Sequence, residues 1–248
     1  MHNNIFATMV DITNKFETFQ KQIKTFTRFK ALLFVVLFSL FLSCNKDDPN
    51  EELITDIDGN IYHTAVIGNQ KWMLENLKTT KYNDGEEIPN IEENKEWELM
   101  NSGACCNYDN LEANGELYGK LYNWHAINTG KLAPQGWRVA TDNDWTVLID
   151  YLGGQDVSGG KIKEVGTLHW DEPNTGATNS SGFTALPGGM RYFNGYFTGL
   201  NRGAVWWTST AKNESYAWFR SIGCDIESVR RDIYGFQSGF LVRCIKEE

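Results

Sequence analysis

Glycine, asparagine and aromatic side chains alternate through the second half of this chain, and this mixture limits its possible folds more than any other feature. From residue 153 a long stretch rich in Gly, Asn, Ser and Thr is interrupted by single large side chains such as Trp170 and Phe183. The 23 glycines break helices too often for a helical bundle. The 13% of aromatic residues, nine of them Trp, make the chain too apolar for disorder. We therefore expect long ordered loops with little regular structure, and such loops are usually functional.

Regular structure is predicted on both sides of this stretch. Asp58-Gly59-Asn60 and Gly68-Asn69 separate short apolar runs, a hairpin pattern that predicts a β-meander over 54–75. A helix is predicted over 141–152, with Thr141 as N-cap and one apolar face. Strands are predicted at 204–209, 216–222 and 239–245. The residues alone thus predict β structure at both ends, a helix and long Gly-rich loops, in one domain over 54–248.

The N-terminal part of the chain has the pattern of an export signal. Residues 31–43 carry no charge, and their thirteen residues fall short of the roughly 20 that span a bilayer but suit a signal-peptide core. The run ends at Leu42-Ser43-Cys44, which resembles the lipobox of bacterial lipoproteins, where the Cys is acylated and becomes the mature N-terminus. We predict a signal peptide with an extended leader over 1–43, lipidation at Cys44 and a flexible tether over 44–53. A short buried helix is the alternative for the apolar run.

Charge limits the partners of the mature chain. Residues 44–248 carry 18 Lys and Arg against 30 Asp and Glu, a net charge of −12. Nucleic acid is disfavoured because phosphate binding needs a basic face, and so is adsorption of the protein surface to anionic lipid. Membrane attachment is therefore expected through acyl chains on Cys44. Lys46-Asp47-Asp48 resembles a surface-export tag of one group of Gram-negative bacteria, with an ordinary solvated tether as the alternative. The expected location is the outer membrane or the cell surface.

Five ordered segments together resemble the Fibrobacter succinogenes major paralogous domain, a family of secreted and lipid-anchored bacterial proteins. They cover nearly all of 54–247 and include DIDGNIYHTAVIGNQKWMLENLKTTKYNDG (56–85), residues 118–154 and 176–191, WWTST (206–210) and GFLVRC (239–244). Residues 136–145 and 239–244 are also similar to formylglycine-generating and sulfatase-modifying domains, which have a C-type-lectin-like fold. The resemblance implies an α+β, C-type-lectin-like domain in which N- and C-terminal strands meet. It further implies a twisted antiparallel sheet, one or two helices and long Gly- and Asn-rich loops.

Formylglycine-generating activity is not implied. Those enzymes use a closely spaced cysteine pair late in the domain, and here only Cys224 lies in that region. The chain also lacks the common nucleophile, phosphate-binding and zinc-protease motifs. Binding is therefore favoured over catalysis, with a secreted modifying enzyme or hydrolase with an unrecognised site as one alternative and a purely structural surface component as another.

Four cysteines remain if Cys44 carries lipid, an even number that suits an oxidising compartment. They allow three pairings, and the adjacent Cys105 and Cys106 are poorly placed to bond each other. The resembled family has a Cys at the positions matching Cys106 and Cys244, which implies a Cys106–Cys244 disulfide and leaves Cys105–Cys224 as a second pair. A thiolate metal site is the alternative, but Cys105-Cys106 lacks the usual ligand spacing.

Aromatic residues in and beside the loop region are the candidate ligand-binding residues, because flat aromatic faces stack on sugars or clamp peptides. The candidates are Trp170, Tyr192, Tyr196, Phe197, Trp206 and Trp207. The alternative is that most of them are core, and strand alternation leaves at most one of Trp206 and Trp207 free. We predict a glycan or protein ligand at the cell surface.

No cofactor is predicted, and Ca²⁺ is the one alternative considered. Glu172-Pro173-Asn174 resembles the Ca²⁺- and sugar-binding triplet of mannose-type C-type lectins, in which carboxylate and amide oxygens bind the ion. Those lectins also need a Trp-Asn-Asp group downstream, which this chain lacks. A plain proline turn is therefore favoured over a metal site at Glu172 and Asn174.

Overall fold

A computed structural model of the protein describes residues 52–247. The predicted signal peptide over 1–43, the lipidation site Cys44 and the tether up to residue 51 lie outside the described residues. Within 52–247, no helix combines the length and the apolar character that crossing a bilayer requires.

The described chain consists of short strands and helices joined by long turns. The helices are α1 (Asn94–Leu99), α2 (Glu112–Tyr118), α3 (Trp124–Asn128), α4 (Asp142–Tyr151) and α5 (Gln155–Ile162), with a 3₁₀ turn at Tyr108–Asn110. The first seven strands are β1 (Ile54–Thr55), β2 (Ile61–Tyr62), β3 (Thr64–Ile67), β4 (Gln70–Met73), β5 (Cys105–Cys106), β6 (Leu121–Tyr122) and β7 (Trp137–Val139). The others are β8 (Gly188–Arg191), β9 (Phe197–Leu200), β10 (Gly203–Ala211), β11 (Tyr216–Gly223), β12 (Arg230–Gly235) and β13 (Cys244–Lys246).

Two larger sheets organise these elements. The first has the order β3-β4-β13-β7 and is antiparallel, so the last strand lies between an early strand and a middle one, with Ile245 opposite Trp72. The second has the order β12-β11-β10-β8-β9, and only its β10–β8 pair is parallel. These sheets and the few helices confirm the α+β class and the meeting of N- and C-terminal strands. The lectin-like relationship stays a prediction.

Strand β10 separates two hydrophobic cores. Trp206 belongs to the core that also holds Trp72, Trp145 and Phe183, whereas Trp207 belongs to the core around Phe240. Both indoles are fully buried, so neither of the two is free to bind a ligand. The alternation itself is present. Because each face of β10 is covered by a core, neither tryptophan reaches the surface.

The stretch after residue 153 contains more regular structure than its composition predicts. It includes α5, β8 and β9, and β12 follows further on. Helix α5 contains Gly159 and Gly160, which argue against a helix in isolation. A Cβ at Gly159 would stand 2.5 Å from the carbonyl oxygen of Glu227, and one at Gly160 would stand 2.3 Å from that of Gly176. The glycines therefore allow the backbone of distant segments to pack directly against this helix.

Three buried cations organise the loops by binding backbone carbonyls. Lys163 donates from Nζ at 2.7–3.1 Å to the carbonyls of the loop residues Thr175 and Ile226 and of Gly223 at the end of β11. Arg243 donates to the carbonyls of Met73 and Phe183 and to Oδ1 of Asn76. Burial lowers the pKa of Arg243 to about 9. The third cation is Arg191, described below. A carbonyl in a loop has no neighbouring strand to donate a hydrogen bond to it, and burying a carbonyl without a donor costs free energy. The cations therefore supply the hydrogen bonds that a neighbouring strand supplies in a sheet.

The predicted disulfides are absent, since Cys105, Cys106, Cys224 and Cys244 are all buried free thiols. Cys106 lies on β5 opposite Leu121 and belongs to the Trp206 core, whereas Cys244 lies on β13 opposite Val139 and belongs to the Trp207 core. The pair implied by the resemblance is thus divided between two cores, and burial raises the pKa of each thiol to about 12.

Candidate functional site

The most exposed group of aromatic side chains lies at the tip of the β8–β9 hairpin. Tyr192, Phe193 and Tyr196 are 37%, 50% and 64% exposed, and we call these three residues the aromatic tip. The turn between them is tight, because Tyr192 donates its N–H to the carbonyl of Tyr196 and Gly195 donates to that of Tyr192. Gly195 has φ +91°, which suits its place after Asn194 in an Asn-Gly turn.

Arg191 fixes the base of this hairpin. Its Nε donates to the carbonyl of Gly195 at 2.8 Å, and its terminal nitrogens donate to the carbonyls of Ile91 and Glu92. The guanidinium lies between the rings of Trp97 and Phe197, at 4.4 and 4.7 Å from their centroids. Because Arg191 is fully buried, the tip is held in one position and loses little conformational entropy when a ligand binds.

The other aromatic candidates do not belong to this surface. Trp170, Trp206 and Trp207 are at most 1% exposed. Each of their indole N–H groups is satisfied internally: Trp170 by the carbonyl of Ala185, Trp206 by Asn76 Oδ1, and Trp207 by the carbonyls of Tyr122 and Ser238. Phe197 is half-buried and packs on Tyr108 at 5.2 Å between ring centroids. These four are structural residues, and only Tyr192 and Tyr196 of the predicted set are available to a ligand.

A polar groove of about 670 Å³ lies beside α2. Its lining carries carboxylates, carboxamides and two ammonium groups and has no aromatic or large aliphatic side chain. It consists of Asp58, Asn60, Lys78, Thr80, Asn90, Glu92, Asn107, Asn110, Glu112, Gly115, Glu116 and Lys120. Ser, Cys and His are missing from it, so a Ser–His or Cys–His nucleophile is not assembled there. The groove offers hydrogen bonds to a ligand and no nucleophile of that kind.

Arg191 links the backbone at one edge of the groove to the backbone of the tip. The carbonyl of Glu92, a groove residue, accepts a hydrogen bond from Arg191 at 2.7 Å, and the same guanidinium holds Gly195 at the tip. A Cβ on Gly195 would stand 2.5 Å from Cα of Asn94, two residues beyond Glu92. The segment around Glu92 and the turn at Gly195 are therefore packed against each other.

The Glu172-Pro173-Asn174 triplet forms a cis-proline turn whose side chains face different surroundings. Glu172 is exposed, while Asn174 is buried and donates from Nδ2 to the carbonyls of Glu164 and Gly166. Among the described residues, no three or more His, Cys, Asp or Glu side chains converge in a way that could hold a metal ion. The triplet thus anchors a loop through Nδ2 of Asn174, whereas Oδ1 of the same side chain is buried without a hydrogen-bond partner in the described part of the chain.

Phe193 and the whole groove were not predicted from the sequence. Phe193 had a local signal, since Asn194-Gly195 between aromatic residues marks a hairpin tip whose neighbours project outward. The groove had none, because its walls come from four separate segments near residues 58–60, 78–80, 90–92 and 107–120. Only the fold brings those segments together.

Comparison with known proteins agrees with this architecture. The sequence profile of the Fibrobacter succinogenes major domain matches residues 66–246, which is most of the chain, begins within β3 and spans every element from β4 to β13. No curated protein and no solved structure matches the chain. On this match, the chain belongs to the Fibrobacter succinogenes major domain family.

Proposed function

We propose that this protein is a lipid-anchored binding protein of the outer membrane or cell surface whose domain holds an extracellular glycan on the aromatic tip. The observation that carries the proposal is the exposure of Tyr192, Phe193 and Tyr196 on a hairpin that Arg191 fixes from below. Large apolar faces left in water on a rigid support are typical of ligand-binding surfaces.

A glycan is the ligand class that suits this surface best. Sugar rings present flat C–H faces that stack on aromatic side chains, and their hydroxyls need many hydrogen-bond partners. The tip supplies the first, and the polar groove of the same domain supplies the second. A protein ligand is the other class, and the binding experiment below includes it as an outcome.

The anchor is proposed at Cys44, because Leu42-Ser43-Cys44 follows a charge-free run of thirteen residues. More than one acyl chain on a single Cys would give stable membrane attachment without a spanning helix. Cys44→Ala should move the protein out of the membrane fraction and abolish incorporation of a labelled fatty acid. Cys44→Ala protein that still carries labelled lipid would refute this anchor, and Ser43→Ala serves as a control that should stay membrane-bound.

Glycan binding is tested with the full chain in a polyoxyethylene detergent, which has no sugar headgroup, on a glycan array with and without Ca²⁺. Tyr196→Ala should weaken binding to the strongest glycan by about tenfold or more, as for an interface hot spot. Tyr151→Ala is the matched control, because Tyr151 is also 64% exposed but lies at the end of α4, outside the tip and the groove.

Each outcome separates the competing functions. Equal loss in both tyrosine variants, or no glycan bound at all, would overturn the glycan proposal. Binding of an extracellular protein that depends on Tyr196 would replace the glycan with a protein ligand. Release of shortened sugars from the array would indicate a hydrolase.

A further inference from the structure

We propose that one side of the domain, which we call the docking face, rests on the lipid bilayer that holds the acyl chains of Cys44. The docking face consists of the outer aliphatic side chains of the β1–β2 hairpin and of one residue on β3, namely Leu53, Ile57, Ile61 and Val66. This inference rests on the lipid anchor of the proposed function and adds the orientation of the domain on the membrane.

Four aliphatic side chains within the first fifteen described residues are left in water. Leu53, Ile61 and Val66 are 56–57% exposed, and Ile57 is 50% exposed. Single exposed aliphatic residues are common, but a group of them on one side of a domain marks a surface that contacts a protein or a membrane. Their arrangement therefore decides what they mean.

The β1–β2 hairpin covers one face of the four-stranded sheet β3-β4-β13-β7. Its residue Tyr62 belongs to the core that holds Met73 of β4 and Cys244 of β13, and Ile54, opposite Tyr62, packs against the same core. Successive side chains of a strand point to opposite faces. Ile61, next to Tyr62, therefore points away from the sheet.

Val66 lies on the same face of that sheet, where it is open to solvent. Met73, which belongs to the core under the hairpin, stands opposite Thr64 of β3. Val66 is two residues further along β3 and so shares the face of Thr64. Ile61 on the hairpin and Val66 on the sheet thus point to the same side of the domain.

The tether reaches the domain at this same side. Glu52, the first described residue, accepts hydrogen bonds from Lys71 at 2.7 Å and from Lys246 at 3.2 Å. Its carbonyl accepts a third hydrogen bond from the hydroxyl of Thr64. Because Lys71 stands directly opposite Val66, the point at which the chain enters the domain lies beside the docking face.

The tether is too short for the opposite side of the domain to face the bilayer. Eight residues along the chain separate Cys44 from Glu52, and an extended chain covers at most about 3.6 Å per residue, or roughly 29 Å in all. A globular domain of about 200 residues has a radius of gyration of about 16 Å and a diameter of roughly 40 Å. The side that carries Glu52 is therefore the side that reaches the lipid.

Apolar contact rather than charge carries this docking. The net charge of −12 over residues 44–248 disfavours adsorption to an anionic surface. Beside Val66, Lys71 and Lys246 share the carboxylate of Glu52, so this part of the face does not repeat the acidic character of the whole chain. Aliphatic side chains that enter the headgroup region bind a membrane in proportion to the apolar area they bury, and a zwitterionic bilayer suits this face.

The test measures which side of the acylated protein touches lipid. The mature protein is purified from the membrane fraction with a fluorophore on Ile61→Cys, and it is reconstituted into phosphatidylcholine vesicles that contain a lipid with a doxyl group on its acyl chain. The doxyl group quenches a fluorophore only at short range, so quenching reports contact with the bilayer. The described native thiols are buried and stay unlabelled.

The control site for the fluorophore is Leu168→Cys. Leu168 is 81% exposed on the loop that follows α5. This loop packs on Tyr118 through His169 and on Asn201 through Asp171, outside the docking face. We expect quenching at position 61 to be severalfold stronger than quenching at position 168.

A charge placed on the docking face should lift it from the lipid. Val66→Asp should lower the quenching at position 61 to the level of position 168, because a carboxylate resists transfer into an apolar environment. Val165→Asp is the matched control, since Val165 is 59% exposed and belongs to the same loop as Leu168. It should leave the quenching at position 61 unchanged.

Failure of the docking face is distinct from failure of the anchor. Protein that carries labelled fatty acid but is quenched equally at positions 61 and 168 would keep the anchor and overturn the docking face. Equal effects of Val66→Asp and Val165→Asp would also overturn it. Self-quenching between fluorophores at position 61, without quenching by lipid, would assign the face to a second copy of the chain. Absence of fatty acid on the protein would refute the anchor and the docking face together.

Discussion

At the scale of single residues, the ammonium group of Lys163 shows how this fold keeps its loops ordered. Its three hydrogens go to the carbonyls of Thr175 in one loop, of Gly223 at the end of β11 and of Ile226 in the loop that follows this strand. The indole of Trp170 lies 5.6 Å from Nζ. Burial lowers the pKa of Lys163, so the contacts with carbonyl dipoles have to compensate for the loss of water.

Lys163→Met should therefore destabilise the domain by about 2–4 kcal/mol, because it leaves three buried carbonyls without a donor. Urea denaturation followed by tryptophan fluorescence measures this cost. Lys161→Met on the same helix is the control, since Lys161 is half-exposed and donates to the single carbonyl of Leu152. Equal costs for the two variants would show that carbonyl binding by Lys163 is not what stabilises the loops.

The aromatic residues show what sequence can and cannot assign at this scale. Trp206 and Trp207 obey strand alternation, but the number of covered faces depends on what packs on β10 from elsewhere in the chain. Tyr192 and Tyr196 are exposed, and the Asn-Gly turn between them is a local reason for that exposure. Burial of a large residue in a loop-rich domain is a property of the fold, which a local pattern does not contain.

At the scale of elements, helix α4 was predictable because its signals are local. Thr141 caps the helix, and Thr141 and Asp144 form a reciprocal capping box. Helix α5 was not predicted because its two glycines disfavour a helix locally. They are required only in the packed structure, where the backbone at residues 176 and 227 approaches them closely. Local capping and periodicity therefore predict a helix such as α4 well. A helix such as α5, whose glycines let a distant segment approach, has no local signal in the sequence.

Asp142 in the first turn of α4 does more than complement the helix dipole. Its carboxylate accepts hydrogen bonds from Arg220 on β11 at 2.8 Å and from Arg231 on β12 at 2.7 Å. Arg220 is buried, so removing Asp142 leaves a buried charge unpaired. The residue thus ties the helix to two strands of the five-stranded sheet.

Asp142→Ala should cost about 3 kcal/mol as a broken buried ion pair, whereas Thr141→Ala should cost about 1 kcal/mol as a lost N-cap. The difference in urea midpoint between these neighbouring variants measures the contribution of the contact with the sheet. If Thr141→Ala were the more destabilising change, capping rather than the link to β11 and β12 would be the main role of this turn.

At the scale of the whole molecule, the strand order follows from the family resemblance more than from residue patterns. Residue patterns located strands near both ends, and the resemblance implied that they meet, which β13 between β4 and β7 confirms. Neither the residue patterns nor the family resemblance predicted the groove, because its walls come from separate segments near residues 58, 78, 90 and 107–120. Loop arrangement is therefore the least predictable level of this domain, and the candidate site lies there.

The buried thiols give the molecule a defined response to alkali. Burial raises the pKa of Cys105 to about 11 and those of Cys106 and Cys244 to about 12, from an ordinary value of 9.0. Between pH 9 and these values, the unfolded chain has released its thiol protons while the folded chain retains them. Because the unfolded state then binds fewer protons, the free energy of unfolding falls as pH rises.

Stability should accordingly be independent of these thiols below pH 9 and should decline between pH 9 and 12. The measurement is the urea midpoint against pH, with reductant present throughout. Cys106→Ala/Cys244→Ala lowers the midpoint at every pH through the cavities it leaves, but its alkaline decline should be shallower than that of the wild type.

Counting the reactive thiols after denaturation without reductant tests whether these cysteines are free in the protein. Four reactive thiols from Cys105, Cys106, Cys224 and Cys244 are expected, and the loss of two would show that the protein forms a disulfide. If that disulfide joins Cys106 and Cys244, the same titration without reductant would give the wild type and the double variant the same alkaline slope.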